Sequence, residues 1–280
     1  MQLFAPAKIN LSLKILGRRE DGFHEIESLM TPISLADELT IEPSDPGISF
    51  SCDDQSLPAG EENLVLKAAR SFFAEIKGKP RVRIRLRKKI PHGAGLGGGS
   101  SDAASTLLGL NEMHGQPLAL SRLRNLGAEI GSDVPFFLLK GAACCRGRGE
   151  IVEPVPGLAK LMLLLLKPEF GVPSPWAYQR WRESRQLPDV DYSPQTVGDL
   201  VLENDLERPV FEKYLFLAQT KMWLRKQPEV AGALLSGSGS TVFAVLRGGA
   251  DAKEMAVRVK KELDPGFWVH PCATLTPEAR

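Results

Sequence analysis

Residues 91 to 101 read Pro91-His-Gly93-Ala-Gly95-Leu96-Gly97-Gly98-Gly99-Ser100-Ser101, a stretch almost without side chains between an alternating segment and a helical one. Glycines there admit positive φ and let backbone amides approach an anion closely. A helix opening at the end of the run adds unpaired N–H donors and the positive end of a dipole, so a polyphosphate is the guest such a segment suits. No Lys follows the last glycine, so this is not the lysine-bearing P-loop. The plainer reading, a flexible Gly/Ser linker, sits poorly between two patterned segments.

Three further places carry reactive groups. Lys8 and Asn10 are two apart in an alternating run and therefore share one strand face, although a lone edge lysine is ordinarily just solvated. Asp133, in Gly131-Ser-Asp133-Val-Pro135, can act in chemistry or simply cap the short helix that the proline opens. His24 follows Asp21-Gly22-Phe23, where a turn histidine is the bland alternative.

The elements that must hold these groups can be read around them. From Lys8 to Leu16, Ile9, Leu11, Leu13 and Ile15 point one way and Lys8, Asn10, Ser12 and Lys14 the other, which predicts a half-buried strand. Asn63–Ile76 reads as a helix with Leu66, Ala69, Phe73 and Ile76 in one stripe. Val82, Ile84 and Leu86 alternate with Arg81, Arg83, Arg85 and Arg87, giving a strand with one basic face. A helix starting near Ser100 is lined by Ala103, Ala104, Leu107, Leu108 and Asn111 and stopped by Gly115; another runs from a Ser121 cap to Ile130. The second half predicts strand 161–166, helix 209–226, strands 230–235 and 241–246, helix 250–263 and strand 267–272. That β-α-β-β-α-β order is the ferredoxin-like arrangement. A long proline-bearing insertion, residues 168–207, separates its first strand from its first helix, and loops of such length are usually functional or disordered. Pro154, Pro156 and Gly157 punctuate the chain and set an expected boundary between a domain 1–156 and a domain 157–280.

Composition narrows the classes. With 43% hydrophobic and 25% charged residues the chain has ample core, and a net charge of +1 gives no bulk attraction to nucleic acid or anionic membrane. The four cysteines follow no metal or disulfide spacing and read as reduced thiols. The apolar run 161–166 is too short to cross a bilayer, and with no leader pattern before the first strand a cytoplasmic location is expected.

Pro91-x-x-x-Gly95-Leu-Gly-Gly-Gly-Ser-Ser101 resembles the ATP-binding motif of the GHMP kinases. Ala5-Pro-Ala-Lys8-Ile-Asn10-Leu and Leu235-Ser-Gly237-Ser-Gly239-Ser-Thr241-Val-Phe are similar to that family's other two motifs, in the right order over residues 5 to 243. The resemblance implies an α+β, two-domain fold: an N-terminal ATP-binding α/β domain and a C-terminal ferredoxin-like substrate domain. It implies ATP as co-substrate with Mg²⁺, held near Ser100 or Ser101, with no acidic metal ligand evident. Asn63 and Lys88 would lie near the adenine. Asp133 would accept or orient the proton of the attacking hydroxyl, and Lys8 would stabilise Asp133 and the transferring phosphoryl.

Arg19-Glu-Asp21-Gly22-Phe23-His24-Glu and Gly131-Ser-Asp133-Val-Pro135-Phe-Phe resemble the branch of that family that acts on a cytidine-diphosphate-linked methylerythritol in non-mevalonate isoprenoid synthesis. Phe23 would then stack on the base and His24 read its edge; many relatives have tyrosine at the Phe23 position, so here the ring remains without its hydroxyl. Ser174 and Tyr178 align with the stretch that closes over the base, Trp176 and Trp181 being equally suited to packing. Asn10, Gly237 and Gly239 complete the implied acceptor site, and a monomer or homodimer is expected. The competing readings are a GHMP kinase for homoserine or mevalonate, which would have no use for a nucleobase reader, and an RNA-binding module built on the 81–89 basic stripe.

Overall fold

The computed structural model describes residues 1–58 and 60–276, so residues 277–280, the end of the expected second domain, lie outside it. In chain order the elements are β1 (Gln2–Arg18), β2 (His24–Pro43), β3 (Gly47–Cys52), α1 (Leu64–Glu75), β4 (Arg81–Arg87), α2 (Gly98–Met113), α3 (Leu120–Ile130), α4 (Val134–Phe137), β5 (Ala143–Gly147) and β6 (Ile151–Pro154). They continue with β7 (Met162–Lys167), α5 (Ser174–Arg180), β8 (Gln195–Val197), β9 (Leu200–Asn204), α6 (Glu207–Lys213), α7 (Leu215–Arg225), β10 (Val230–Leu235), β11 (Val242–Leu246), α8 (Ala252–Glu262) and β12 (Trp268–Ala273).

Two sheets form. The larger runs β3-β4-β2-β1-β9-β8, with β5 paired to β2 and β6 to β5; the smaller runs β10-β11-β7-β12. All pairings in the smaller sheet are antiparallel, and its order is that of a ferredoxin-like domain, as the alternation of elements predicts.

The strand faces explain the layering. On β7, Leu163 and Leu165 join a core with Ile9, Leu11, Ile33, Phe243 and Val245, which glues the two sheets face to face. Leu164 and Leu166 point the other way, to Phe211, Leu217, Leu224, Met255 and Val259 on α6, α7 and α8. The continuous leucine run is therefore a strand buried on both sides. The opposite face of the large sheet packs Leu39, Ile41, Val82 and Ile84 against Phe72, Leu107 and Phe136 on α1, α2 and α4.

Several expectations are corrected. The strand expected to be half-buried is buried on both faces from Ala7 to Leu11: Lys8 and Asn10 are 4% and 2% exposed, because the glycine-rich loop and the 236–241 loop cover them. The helix expected over 209–226 is two, broken at Tyr214, whose backbone (φ −112°, ψ 69°) is not helical. Ser121 is not a cap: α3 begins at Leu120 behind Ala119. Leu108 is 36% exposed and lies off the buried stripe of α2. The insertion is ordered; it supplies α5 and the β8–β9 hairpin, and β9 extends the large sheet beside β1. Cys145 and Cys272 are buried free thiols, but Cys52 and Cys144 are only half-buried.

The arginine stripe of β4 is matched by acids on β2. Arg83 and Arg85 meet Glu42, and Arg87 and Lys89 meet Glu38, so the stripe is a charge-paired sheet face. Among the described residues no helix is long and apolar enough to cross a membrane.

Candidate active site

The glycine-rich loop expected to hold phosphate folds as its composition requires. Gly95 and Gly97 adopt φ of 73° and 71°, and Gly97 is the N-cap of the 16-residue α2 with no side chain bonded to the helix start. The first amides of α2 thus stay available to a ligand. Space is as restrictive as φ: a Cβ on Gly97 would stand 2.9 Å from Phe137 Cζ and 3.1 Å from Lys8 Cγ, and one on Gly95 would strike the Ser236 carbonyl. The loop is pinned from both sheets, by Lys8 N–H to Leu96 O (2.9 Å), Thr241 N–H to Ala94 O (3.2 Å) and the Ser236 hydroxyl to Gly95 O (3.0 Å).

Beside this loop stand Lys8 and Asp133. Lys8 Nζ lies 3.8 Å from Asp133 Oδ2 and donates to Asn10 Oδ1 at 2.5 Å; Asn10 in turn donates to Ser28 Oγ at 2.8 Å. Burial lowers the Lys8 pKa below its ordinary value, and the Asp133 carboxylate opposes that shift only in part. Asp133 occupies the N-cap position of α4, yet its side chain makes no capping bond and remains 34% exposed. The residue that could have been only a cap is instead turned to the lysine.

These groups line a cavity of about 650 Å³. Of the expected nucleotide contacts, Pro91, Gly93, Gly95, Leu96, Gly97, Gly98, Gly99, Ser100, Asn63 and Lys88 line it. Ser101 does not: it is fully buried in α2 with its hydroxyl unpartnered, which leaves Ser100 as the serine facing the cavity. Asn63 also caps α1, accepting from Val65 N–H at 2.9 Å and donating to Pro58 O. Lys88 is clamped by Asp37 and Asp102, whose pull outweighs burial and raises its pKa. Burial pushes the Asp102 carboxyl up to about 7 despite Lys88.

The other end of the cavity holds Phe23 and His24 at the tip of the β1–β2 hairpin. The tip is closed by Arg19 N–H to Phe23 O (2.8 Å), Gly22 at positive φ and Phe23 N–H to Asp21 Oδ1 (3.1 Å). His24 lies 5.5 Å from the Tyr178 ring and edge-on to Trp181 at 6.2 Å. Burial, with help from Arg18, lowers the His24 pKa below 6.5, so at neutral pH the ring is uncharged and offers one donor and one acceptor. Packed surroundings and the Asp133 carboxylate raise the Tyr178 phenol. Ser174 bonds Ser238 Oγ at 2.7 Å, joining α5 to the 236–241 loop. Gly237 lines the cavity, whereas Gly239 stands behind it, where a Cβ would meet Leu235 Cδ1 at 2.9 Å.

Sequence reasoning missed Asp102, Arg148 and Ser238, all cavity-lining. Ser238 sits between two glycines already singled out, and Asp102 ends the Gly-Ser run; nothing local marked Arg148. For a divalent cation, no cluster of three or more His, Cys, Asp or Glu exists among the described residues. One hydroxyl, Ser100, beside a phosphate loop still suits Mg²⁺, which keeps several waters and leans on substrate phosphates.

A family model described as GHMP kinases N terminal domain matches residues 63–141, and one described as GHMP kinases C terminal matches 193–264. A 4-diphosphocytidyl-2-C-methyl-D-erythritol kinase of Methylacidiphilum infernorum is 44% identical over 95% of this chain and 94% of its own. One of Syntrophotalea carbinolica is 40% identical over 90% of this chain and 91% of its own. A crystal structure of 4-(cytidine 5'-diphospho)-2C-methyl-D-erythritol kinase superposes with a TM-score of 0.80 at 35% identity, covering 99% of this chain and 100% of the other. A homoserine kinase from Cytophaga hutchinsonii, at 20% identity and a TM-score of 0.73 over 99% of this chain and 94% of its own, shares the fold.

Proposed function

The chain belongs to the GHMP kinase family, and from that premise we propose that it transfers the γ-phosphoryl group of ATP to the 2-hydroxyl of 4-diphosphocytidyl-2-C-methyl-D-erythritol. One observation carries the reading. A single cavity has a phosphate-binding loop at one end and an aromatic–imidazole cluster at the other, with the Lys8–Asp133 pair where they meet. Lys8 touches the phosphate loop, and Asp133 faces the turn after β5 and the Tyr178 side.

The reaction follows from that arrangement. The amides at the start of α2 hold the phosphates of ATP. Asp133 takes or orients the proton of the acceptor hydroxyl, and its exposed edge is free for that contact. Lys8 keeps Asp133 anionic and offsets charge on the phosphoryl group in flight. Ser100 would help hold Mg²⁺, which would supply further charge compensation to the phosphates. A tertiary alcohol is a crowded nucleophile, so holding oxygen and phosphorus in line provides much of the rate.

At the acceptor end Phe23 offers its face to the cytosine, and neutral His24 matches a base edge that presents both donor and acceptor groups. Tyr178 and Ser174 bound the same subsite from α5. Homoserine and mevalonate kinases would leave this cluster without a role. The lobe formed by residues 1–156 would then hold the nucleotide, and residues from 157 onward would close over the acceptor. The chain would act as a monomer or homodimer in the cytoplasm, where the step would serve non-mevalonate isoprenoid synthesis.

The test is product identity. Incubation with ATP and the cytidylylated methylerythritol should give one new phosphomonoester on the tertiary carbon, seen by ³¹P NMR together with stoichiometric ADP. ADP release without a phosphorylated acceptor would overturn the proposal.

A further inference from the structure

Arg148 sits in the turn between β5 and β6, flanked by Gly147 and Gly149 at φ of 73° and 118°. The turn is pressed against the reactive aspartate: a Cβ on Gly149 would stand 3.5 Å from Ser132 O and 3.7 Å from Asp133 Oδ1. Its position is fixed at two points. Arg148 N–H donates to Glu150 Oε2 at 2.7 Å, and Nη2 donates to Ala128 O at 2.6 Å. The guanidinium carbon then stands 4.9 Å from the centroid of the Phe23 ring.

Its charge is engaged only at longer range, where it helps hold the Asp21 carboxyl below its ordinary value. Three lysine or arginine side chains line the cavity, and two are neutralised within it: Lys8 by Asp133, and Lys88 by Asp37 and Asp102. Among the described residues Arg148 has no carboxylate within ion-pair distance, although the nearby Arg19 and Arg146 are each held by two acids. A cation–π contact alone would explain a guanidinium beside a ring. It would not explain why the nearby acids are taken by Arg19 and Arg146 while the arginine facing the cavity has none. Among the described residues the remaining Nε and Nη1 hydrogens have no acceptor, and they lie in the geometry that suits phosphate oxygens.

We propose that Arg148 determines acceptor specificity, backing the Phe23 ring with its plane and receiving the diphosphate of the nucleotide-linked acceptor with its free N–H groups. This deepens the reading above and rests on it. The acceptor brings two phosphates to a cavity whose other cations are already matched by acids, and Arg148 supplies the counter-charge between the base subsite and Asp133. Guanidinium rather than ammonium is required, since one planar group must stack and bond at once.

Calorimetry with cytidine 5'-diphosphate, cytidine and a non-hydrolysable ATP analogue separates the roles, using the full chain and its Arg148→Met and Arg148→Lys variants. Wild type should prefer the diphosphate to the nucleoside. Arg148→Met should weaken the diphosphate by ~10- to 100-fold, cytidine by only a few-fold and the ATP analogue not at all. The acceptor KM should rise by the same factor, with kcat nearly kept. Arg148→Lys should retain part of the preference. If Arg148→Met does not fold, the diphosphate-to-cytidine ratio in Arg148→Lys decides, and an unchanged ratio overturns the proposal. Equal losses for diphosphate and cytidine would reduce Arg148 to a brace for Phe23 and likewise overturn it. Wild-type protein that binds the ATP analogue but neither cytidine ligand would bring down the nucleobase reading and this proposal together.

Discussion

Replacing Lys8 by Met separates chemistry from folding more sharply than any other change in the cavity. The ammonium is buried and stands 3.8 Å from Asp133 Oδ2. At an effective dielectric of ~20 that separation corresponds to a gross attraction of about 4 kcal/mol. Losing one preorganised charge beside a transferring group typically costs ~10²- to 10³-fold in turnover, and the expected fall in kcat is of that size. Stability should respond differently. Burial is the main reason the Lys8 pKa is lowered, so its charged form is held against a desolvation cost that Met would remove. Against that, Asn10 Oδ1 loses its 2.5 Å donor, and an unsatisfied buried acceptor costs ~1–3 kcal/mol. The two changes offset, leaving a melting temperature within a few degrees of wild type. Linkage gives a second signature. Because the native Lys8 pKa lies below 10.5, the unfolded chain binds more protons between the two values. Wild-type stability relative to Lys8→Met should therefore rise with pH across that window and be flat below it. Single-turnover kinetics and pH-dependent thermal melts check both. A Lys8→Met variant with wild-type turnover and a collapsed melting temperature would show that the lysine serves the fold, and the division of roles would fail.

Asp133→Asn should lower turnover by ~10²- to 10⁴-fold while both substrates still bind; undiminished turnover would leave Asp133 a helix-start residue only. Gly97→Val should abolish nucleotide binding in a folded protein, because φ of 71° and the 2.9 Å approach to Phe137 exclude a branched side chain, and calorimetry with an ATP analogue measures it. His24→Ala should raise the acceptor KM by ~10- to 100-fold with the ATP KM barely moved, since base groups left unpaired cost ~1–3 kcal/mol each. With its pKa lowered, His24 stays neutral at pH 7, so the acceptor KM should be flat above pH 6.5 and rise only at more acid values; a rise beginning at neutral pH would contradict the neutral-ring reading.

Much of this site was legible because its chemistry is carried by local motifs. The glycine run declares a positive-φ loop ahead of a helix through backbone geometry alone, and the leucine run 161–166 declares a buried strand. What stayed hidden depends on partners distant in sequence. Alternation puts Lys8 and Asn10 on one strand face but does not show their burial, which Leu96 and the loop around Gly237 impose. Spacing alone leaves Asp133 either a reactive group or a cap, and the geometry shows no capping bond. Tyr214 breaks a helix whose apolar pattern runs through it unbroken, because periodicity reports burial and not backbone continuity. The β8–β9 hairpin is formed by strands of three and five residues, too short to register as alternation, and it matters because Asn204 reaches from it to Leu235 O and Gly237 O. Arg148 carries no motif at all; only the fold brings it over Phe23.

The measurement that bears most directly on the whole account is initial phosphoryl-transfer rate from ATP with an acceptor panel at equal concentration: cytidylylated methylerythritol, free methylerythritol, homoserine and mevalonate. Activity with the cytidylylated acceptor alone is the expected result. Comparable turnover of homoserine or mevalonate, or of methylerythritol without its nucleotide, would contradict the assignment of Phe23 and His24 and return the chain to the family without this substrate.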